Sequence, residues 1–404
     1  MTNTQPLTQQ FPCSGCGSTL EFDPKSAQLK CPYCGREDEL PTAMGQVVER
    51  SLEEFVNANR TQIAALSTTA LEVECPGCRA QITFQPPDVA GKCPFCATSI
   101  VTQPHAPNPV LMPEAVLPFG LGKKAAQERI QKWLHSRWFA PTGLKKLAQH
   151  EGMQGVYLPF WTYDAQTHST YRGERGTHYY VTETYTETNS EGKTETKTRE
   201  VQHTRWCSVS GNVSCYFDDV LVPAVETIKT KRLEALEPWD LSKLMPYNSS
   251  YLAGFKVQRY QIQLKEGFEL AKEKMASTIH QNVVRDIGGD EQRVSSVSTD
   301  YYDPTFKHVL LPVWLSSYRY HNKQYQVMVN AQTGEVLGDR PFSVWKITKV
   351  IVLTAVVTVG LLFVIGHFAE EPQIPDPSTP EELPSIPEES SQPYPDPASS
   401  IESP

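Results

Sequence analysis

Eight of the ten cysteines fall into two copies of one pattern, C-x2-C-x14-C-x2-C. In chain order these are Cys13, Cys16, Cys31, Cys34, Cys75, Cys78, Cys93 and Cys96. A C-x2-C turn presents two sulfurs to one ion, and a set of four thiolates suits tetrahedral Zn2+. The pattern therefore predicts two Zn2+ ions, each bound by one copy, as in zinc ribbons. Two loops closed by disulfides are the alternative, and they require an oxidising compartment.

The two copies also match between their cysteine pairs. Each cysteine of the second copy lies 62 residues after its counterpart, and Phe22 and Lys30 match Phe84 and Lys92. Because cysteines occupy all four positions around each ion, no position remains for water or a substrate. The predicted Zn2+ is therefore structural and not catalytic.

A long apolar segment near the other end of the chain predicts a transmembrane helix. Residues 350–368 contain no Asp, Glu, Lys or Arg. At about 1.5 Å per residue, a helix of this length spans roughly 29 Å, close to the thickness of a bilayer core. A buried core helix is the alternative, but core helices are rarely apolar on every face. The opening residues have neither the basic nor the apolar region of a cleaved signal peptide.

The charges on either side of this segment predict its orientation. Arg340, Lys346 and Lys349 precede it, and no Lys or Arg follows Phe368. The positive-inside rule then places the long N-terminal part in the cytoplasm and the C-terminal tail outside. A reducing cytoplasm also suits eight free thiolates.

The C-terminal tail differs from the rest of the chain in composition. It contains nine of the 46 acidic residues and none of the 37 basic ones, so the rest of the chain is neutral and the net charge of −9 belongs to the tail. The tail is also rich in Pro and Ser. Such a composition cannot build a core, which predicts a disordered segment.

The predicted fold class is α+β. It comprises two small N-terminal zinc ribbons, a mixed α+β globular domain rich in antiparallel strands, one C-terminal transmembrane helix and a disordered tail. The predicted divisions are a disordered N-terminus (1–12), the first zinc ribbon (13–40), a helical linker (41–70), the second zinc ribbon (71–103), a Pro-rich linker (104–113), the α+β domain (114–345), the transmembrane helix (350–368) and the acidic Pro/Ser-rich tail (369–404).

Two features of the α+β domain bear on its organisation. Leu158-Pro-Phe-Trp161 is echoed by Leu311-Pro-Val-Trp314, which suggests a duplicated α+β unit. Proline within each copy predicts an edge strand or a bulge. Residues 177–206 alternate Thr with Glu and Tyr across a turn that contains Gly, which predicts a protruding polar hairpin. This hairpin is either a docking arm or a solvated loop.

Other residues that could bind metal are assigned no site. Cys207 and Cys215 lie on either side of Gly211 and Asn212, as on the two strands of a hairpin, and are expected to be buried thiols. His168, His178 and His203 are expected to be scattered, solvated side chains.

The chain resembles a bacterial family of membrane-anchored proteins with transcription-factor-IIB-type zinc ribbons. Besides the cysteine pattern, the resemblance rests on Gly155–Trp161, Tyr251–Gly254, Leu311–Trp314 and Val329–Gly338, so it covers most of the chain up to the tail. Members are often labelled primosomal protein N-prime or superfamily II helicase, which would imply nucleic-acid work.

The sequence excludes helicase catalysis. Coupling ATP to strand separation needs a phosphate-binding loop, and the nearest candidate, Gly120-Leu-Gly-Lys-Lys124, has neither the spacing nor the hydroxyl residue. The chain also has no nucleophile elbow, metalloprotease helix or dinucleotide-binding turn. We therefore expect no enzymatic activity.

Nucleic-acid binding by the ribbons is the alternative function. Aromatic side chains that could stack on bases are Phe22, Tyr33, Phe84 and Phe95. Both ribbons nevertheless have more acidic than basic residues, and phosphate contacts dominate such affinities. The sequence therefore favours a non-catalytic protein-binding or scaffolding module. Its predicted location is the bacterial cytoplasmic membrane, which it crosses once with a cytoplasmic N-terminus, and its protein partner is unidentified.

Overall fold

The computed structural model of the chain describes residues 11–40, 45–57, 63–64, 71–84, 90–96, 98–101, 110–139, 153–188, 192–320, 323–339 and 342–368. The chain divides into two compact units, Met1–Ser343 and Val344–Pro404. Within the described residues the chain is α+β with a large antiparallel sheet, which confirms the predicted class.

Short strands build the two cysteine-rich parts of the chain. The first cysteine module (residues 11–40) contains β1 (Glu21–Asp23), β2 (Gln28–Lys30) and β3 (Glu37–Asp38) in one antiparallel sheet. After it come β4 (Arg50–Ser51), α1 (Leu52–Asn57) and β5 (Ile63–Ala64). The second cysteine module (residues 71–101) contains the hairpins β6 (Leu71–Glu74) with β7 (Gln81–Phe84) and β8 (Ala90–Lys92) with β9 (Ser99–Val101).

The remaining elements of the first unit follow in chain order. They are β10 (Val110–Leu111), β11 (Ala115–Val116), α2 (Lys123–His135), β12 (Gln154–Thr188), β13 (Thr194–Pro223), α3 (Thr230–Glu234), β14 (Met245–Pro246), β15 (Lys256–Val257), α4 (Leu264–Ile287), β16 (Glu291–Tyr320), β17 (Lys323–Asn330) and β18 (Val336–Gly338). Two 3-10 helices lie at Leu241–Lys243 and Ser249–Leu252. The second unit contains the helix α5 (Val344–Phe368).

Three very long strands form the centre of the large sheet. Strand β12 lies between β13 and β16 and is antiparallel to both. Strand β16 accompanies β12 only as far as the Gly176–Glu291 pair, whereas β13 continues to the Thr188–Thr194 pair. Residues 177–188 and 194–205 therefore form a two-stranded arm, which covers most of the predicted hairpin.

Helix α4 packs along the three-stranded part of the long sheet. Its buried residues recur at intervals of about three or four and so lie on one side of the helix. They are Leu264, Gly267, Phe268, Ala271, Met275, Ile279, Val283 and Ile287. The hydroxyl of Tyr163 donates to the Leu264 carbonyl at 2.7 Å. The helix ends at Gly288 and Gly289, both with positive φ, so the chain turns sharply into β16.

Side-chain alternation along the strands divides the core between two faces of the sheet. Val156, Leu158 and Phe160 belong to a hydrophobic cluster that includes Ile82 and Phe95 of the second cysteine module. Tyr157, which points to the other face, belongs with Leu20 and Phe22 of the first module. The two modules therefore cover opposite faces of one sheet.

This packing differs from the separate modules that the sequence suggested. Both modules belong to the same compact unit as the α+β region. The linker predicted over 41–70 as helical contains one short helix, α1, flanked by β4, which pairs with β16, and β5, which pairs with β10. Residues 41–44, 58–62 and 65–70 lie outside the described part.

The echoed motifs lie side by side. Leu158 on β12 and Leu311 on β16 are directly opposed in an antiparallel pair. The sequence had suggested that each proline lies in an edge strand or at a bulge. Neither proline does. Each lies where the strand changes neighbours, and its carbonyl accepts from Ala224 at 3.0 Å in one case and Ala331 at 3.1 Å in the other. Proline is tolerated at this junction because no neighbour needs its missing N–H.

Contacts around the paired motifs repeat in the same way. The Trp161 indole donates to the Ile262 carbonyl at 2.9 Å, and the Trp314 indole donates to the Leu121 carbonyl at 2.7 Å. Strand β15 runs parallel to β12 just before Pro159, as β11 runs parallel to β16 just before Pro312. Eight elements of this unit therefore form two β-α-β-β repeats related by a pseudo-twofold axis. Repeat 1 consists of β11, α2, β12 and β13, and repeat 2 consists of β15, α4, β16 and β17. Each repeat lends its short strand to the long strand of the other.

Helix α5 is a long apolar element. Its stretch Trp345–Val364 is long and apolar enough to cross a membrane, and none of it is buried within the structure. Length and composition support the predicted span over 350–368, which α5 includes.

Candidate metal centres

The first cysteine module brings its four sulfurs together. Cys13 and Cys31 are buried, whereas Cys16 and Cys34 are exposed. Their Sγ atoms lie 3.6 Å apart for Cys13 and Cys34 and 3.5 Å apart for Cys16 and Cys31, and all four lie within 4.8 Å of one another.

The second module forms the same arrangement in a more buried setting. The Sγ atoms of Cys75 and Cys96 are 3.3 Å apart, and those of Cys78 and Cys93 are 3.6 Å apart. Three of these residues are buried and Cys78 is half-buried. In each copy, the Sγ atoms of all four predicted cysteines therefore lie within 4.8 Å of one another.

These separations fit a metal ion at the centre of each set. Four sulfurs about 2.3 Å from a tetrahedral ion are about 3.8 Å from each other, whereas bonded sulfurs are about 2.0 Å apart. All ten cysteines are free thiols in the structure, so it contains no disulfide of the kind considered as the alternative. The two clusters are thus able to hold two structural metal ions.

Local backbone geometry explains how each turn presents its sulfurs. The Gly17 N–H donates to the Cys13 carbonyl at 2.9 Å with a φ of 75°, and Arg79 occupies the equivalent position of the second module with a φ of 59°. Backbone N–H groups also point at sulfur, from Gly15 to Cys13 and from Gly77 to Cys75, both at 3.4 Å. The same backbone turn therefore directs N–H groups at the first sulfur of each module.

The environment of the sulfurs differs between the modules. A hydrogen bond from the Cys34 backbone, followed by one from the Ser18 hydroxyl, lowers the pKa of Cys31 to about 6. In the second module a hydrogen bond with Cys78, followed by burial, raises the pKa of Cys93. In the first module, although a hydrogen bond from the Arg36 backbone acts in the opposite direction, hydrogen bonds with Cys31 and Cys13 raise the pKa of Cys34 to about 12. Metal binding must therefore displace a tightly held proton in both modules.

The aromatic residues that could have stacked on bases have different positions. Phe22 is buried against Tyr251 with ring centroids 5.5 Å apart, and Phe95 is also buried. Tyr33 is 83% exposed at the end of the first module. The Phe84 side chain lies outside the described part of the structure.

The other candidate ligands do not converge among the described residues. His168 contacts the Ser214 hydroxyl at 3.1 Å, His178 contacts Glu291 at 2.8 Å, and His203 stacks on Tyr179. Cys207 is exposed rather than buried, and Cys215 is half-buried. Both cysteines lie on the single strand β13, so the hairpin expected between them is absent there.

A third group of possible metal ligands consists of acidic residues. It was not apparent from the sequence, because its members are far apart along the chain. Carboxylate oxygens of Glu49, Asp164 and Asp218 lie within 4.8 Å of one another. Both Asp164 oxygens accept hydrogen bonds, at 2.5 Å from the Asp219 N–H and at 2.8 Å from Thr305. The Lys307 ammonium lies 2.9 Å from Glu49 and supplies a positive charge, so the group is an ion-pair cluster in which Asp164 is buried and Glu49 and Asp218 are exposed.

Comparison with known proteins gives one similarity of long extent. No family model and no solved structure matches the chain. The chain is 25% identical over 339 residues to "Uncharacterized protein YdjG" of Bacillus subtilis (strain 168), which covers 83% of this chain and 91% of that protein. An alignment of this length is much longer than the two cysteine modules, so the similarity extends into the large sheet.

Proposed function

We propose that this chain is a membrane-tethered, non-catalytic protein-binding module built on two zinc ribbons. The observation that carries the proposal is the packing of two closed four-thiol clusters on opposite faces of one sheet. A closed set of four cysteines leaves no position for a reacting water, so the Zn2+ ions would stabilise a rigid platform. The surface of this platform would then serve to bind a partner protein.

The polar arm supports this proposal. It extends beyond the end of β16 and displays Tyr180, which is 65% exposed, and Tyr185, which is 39% exposed. Arg199 lies 5.7 Å from the centre of the Tyr185 ring, and Arg205 lies 5.4 Å from that of Tyr179. Exposed tyrosines beside arginines are typical of protein interfaces.

The apolar helix α5 supports the proposed membrane attachment. Arg340, Lys346 and Lys349 lie on its N-terminal side, and the tail after Phe368 has only acidic charges. The positive-inside rule then orients the modules and the sheet toward the cytoplasm of a bacterial cell, with the tail outside.

Nucleic-acid binding has less support. Burial of Phe22 and Phe95 removes two of the four aromatic side chains that could stack on bases. The acidic surplus of both modules also disfavours contact with phosphates.

The proposal is tested by capture of partners on the full-length chain in detergent, with and without nuclease. We expect the same proteins in both samples, and fewer after residues 179–203 are replaced by a short Asn-Gly turn. Metal content and the unfolding temperature should not change in this variant, because the arm lies outside the core. Capture that disappears with nuclease would instead favour the nucleic-acid alternative.

A further inference from the structure

Strand β13 is an outer strand of the large sheet. It pairs with β12 on one side, and among the described residues no strand pairs with its other side. The backbone groups on that side are therefore available to another chain. Over residues 206–216 every side chain is exposed or half-buried, and the pairing with β12 continues without a bulge. This part of β13 is thus a regular, uncovered sheet edge.

The protection of such edges differs along the three long strands. Natural proteins protect an edge strand with charged side chains, prolines or bulges. Where the long strands have no neighbour in the described part of the chain, five charged side chains lie in residues 194–205, four in residues 291–303 and two in residues 177–188. Residues 206–216 contain no Asp, Glu, Lys, Arg or Pro. We call this segment the uncharged edge.

The sequence of the uncharged edge is nearly palindromic about Gly211. Residues at equal distances from this glycine are identical or chemically alike, and they are Ser210 with Asn212, Val209 with Val213, Ser208 with Ser214, Cys207 with Cys215, and Trp206 with Tyr216. When two identical strands pair antiparallel about a twofold axis through one residue, residues equidistant from that residue face each other. The uncharged edge is therefore complementary to a second copy of itself.

Backbone register and charge also suit a second copy. Alternate residues of a strand direct their backbone groups to the same side, and equidistant residues are always an even number of positions apart. The N–H groups of one copy therefore meet C=O groups of the other, with about ten hydrogen bonds over the segment. Arg205 precedes the segment and Asp218 follows it, both exposed, so the basic end of each copy lies beside the acidic end of the other.

Small side chains at the axis leave room for a second strand. A Cβ atom at Gly211 would be 2.7 Å from the Tyr171 hydroxyl, so contact with β12 already requires glycine there. On the face that α4 covers, Val209 and Val213 pack against the cluster that includes this helix. On the other face, Ser210 and Asn212 are exposed.

We propose that two copies of this chain associate through the uncharged edge, antiparallel and related by a twofold axis at Gly211. Each β13 would then pair with its own β12 on one side and with the second β13 on the other, which joins the two large sheets into one. This inference goes beyond the proposed binding of a partner protein and does not depend on it, because it uses neither the arm nor the cysteine modules.

The first test introduces charges at the axis. Ser210 of one copy would face Asn212 of the other, so Ser210→Lys with Asn212→Lys gathers four lysines around the axis. We expect the full-length parent to be a dimer in detergent, measured by light scattering corrected for the detergent, and the protein mass to be halved in this variant. Mixing the variant with Ser210→Glu, Asn212→Glu should restore the dimer, because each lysine then faces a glutamate.

The matched control is Ser296→Lys with Ser298→Lys. These exposed serines lie on the same face of the sheet, in the same two cross-strand rows as Ser210 and Asn212, but on β16 at the other side of β12. The control adds the same charge at a distance from the uncharged edge. It should remain a dimer, and all variants should retain the metal content of the parent.

The second test measures the register with Cys207 and Cys215. Opposed Cα atoms of an antiparallel pair are about 4.5–5.5 Å apart, which permits a disulfide. Side chains stand out from the face of a sheet, so the Cys207 thiol would remain reachable by a reagent in the pair. Treatment with diamide of a mixture of Cys207→Ser and Cys215→Ser chains with different tags should crosslink one copy of each. Neither variant alone should crosslink, because each lacks one thiol of every opposed pair.

Several outcomes would overturn the inference. They are a monomeric parent, a lysine variant that stays dimeric, a mixture of lysine and glutamate variants that stays monomeric, and dissociation of the β16 control. The register would be wrong if Cys207→Ser or Cys215→Ser crosslinks alone, or if their mixture yields no more crosslinked product than chains with both substitutions. Partner capture does not enter these measurements, so the proposed function and this inference fail separately.

Discussion

The four thiols of the first cysteine module are more accessible than those of the second. Cys16 and Cys34 are exposed, whereas in the second module Cys75, Cys93 and Cys96 lie in the core cluster that the module shares with the sheet. Ligand exchange at a metal requires a competing ligand to approach the sulfurs. Identical cysteine spacing therefore produces two sites with different accessibility.

We predict that a chelator removes the two metal ions at different rates. The protein should contain two zinc ions, and a colorimetric chelator should show a fast phase of one equivalent followed by a slow one. Cys31→Ser should abolish the fast phase and keep the slow phase, because each module closes its own site. A single phase of two equivalents, or elemental analysis showing fewer than two ions in the reduced parent protein, would contradict this expectation.

The buried Glu114 carboxyl connects the segment β4–α1 to the sheet. Burial raises the pKa of Glu114 to about 7, although the Arg50 guanidinium acts in the opposite direction. Burial also lowers the pKa of the adjacent His308 to about 4. In the unfolded chain the pKa of this carboxyl is near 4.5, so the unfolded chain releases the proton at lower pH than the folded one does. The free energy of unfolding therefore falls as pH rises from about 4.5 to about 7.

Glu114→Gln isolates this effect from that of His308. The histidine acts oppositely, stabilising the fold as pH rises from about 4 to 6.5, so the parent protein alone does not separate the two groups. The unfolding free energy of Glu114→Gln minus that of the parent should therefore increase by about 2–3 kcal/mol from pH 5 to pH 8. Unfolding curves at both pH values measure the difference, and a difference that does not change with pH would refute the assignment.

At the scale of elements, the pseudo-twofold relation makes paired residues comparable. Trp161 and Trp314 each donate an indole N–H to a carbonyl in the segment before a helix, and that segment belongs to the other repeat. Each bond therefore ties one repeat to the other. Equivalent substitutions should have equivalent costs.

We predict that Trp161→Phe and Trp314→Phe each destabilise the protein by about 1–3 kcal/mol, since each leaves a carbonyl without its donor and a small cavity. Thermal unfolding of the detergent-solubilised chain measures both. Trp138→Phe is the control, because Trp138 is 71% exposed and should cost little. A large cost for one substitution and none for the other would show that the contacts are not equivalent.

For the whole molecule, the main question is which side of the membrane each part occupies. Cys207 is an exposed native thiol in the first unit, and the tail contains no cysteine. These facts make topology measurable with a thiol reagent that does not cross membranes.

We predict that the reagent labels Cys207 only after cells are opened. In a Cys207→Ser background, Ser391→Cys should be labelled in intact cells, because the basic residues before α5 retain the N-terminal part inside. Labelling of Cys207 in intact cells with protection of Ser391→Cys would reverse the orientation.

The sequence by itself determined the features that depend on local spacing or composition. The eight cysteines form two clusters of four, from Cys13 to Cys34 and from Cys75 to Cys96. Spacing predicted these clusters because a C-x2-C turn is a local structure. The long apolar helix α5 and the α+β class with antiparallel strands were also predicted. The arm could be expected from its alternation of Thr and Glu, because that alternation has the period of a strand.

Only the tertiary structure decided how these parts combine. The short echo at Leu158 and Leu311 suggested a duplication, but the strand pairing that relates the two repeats joins residues far apart in the chain. The same is true of the modules on opposite faces, and of β4, which pairs with β16 although Arg50 and Phe306 are distant in sequence. Local patterns carry no information about such contacts, because long-range pairing depends on which surfaces the folded chain leaves available to bury.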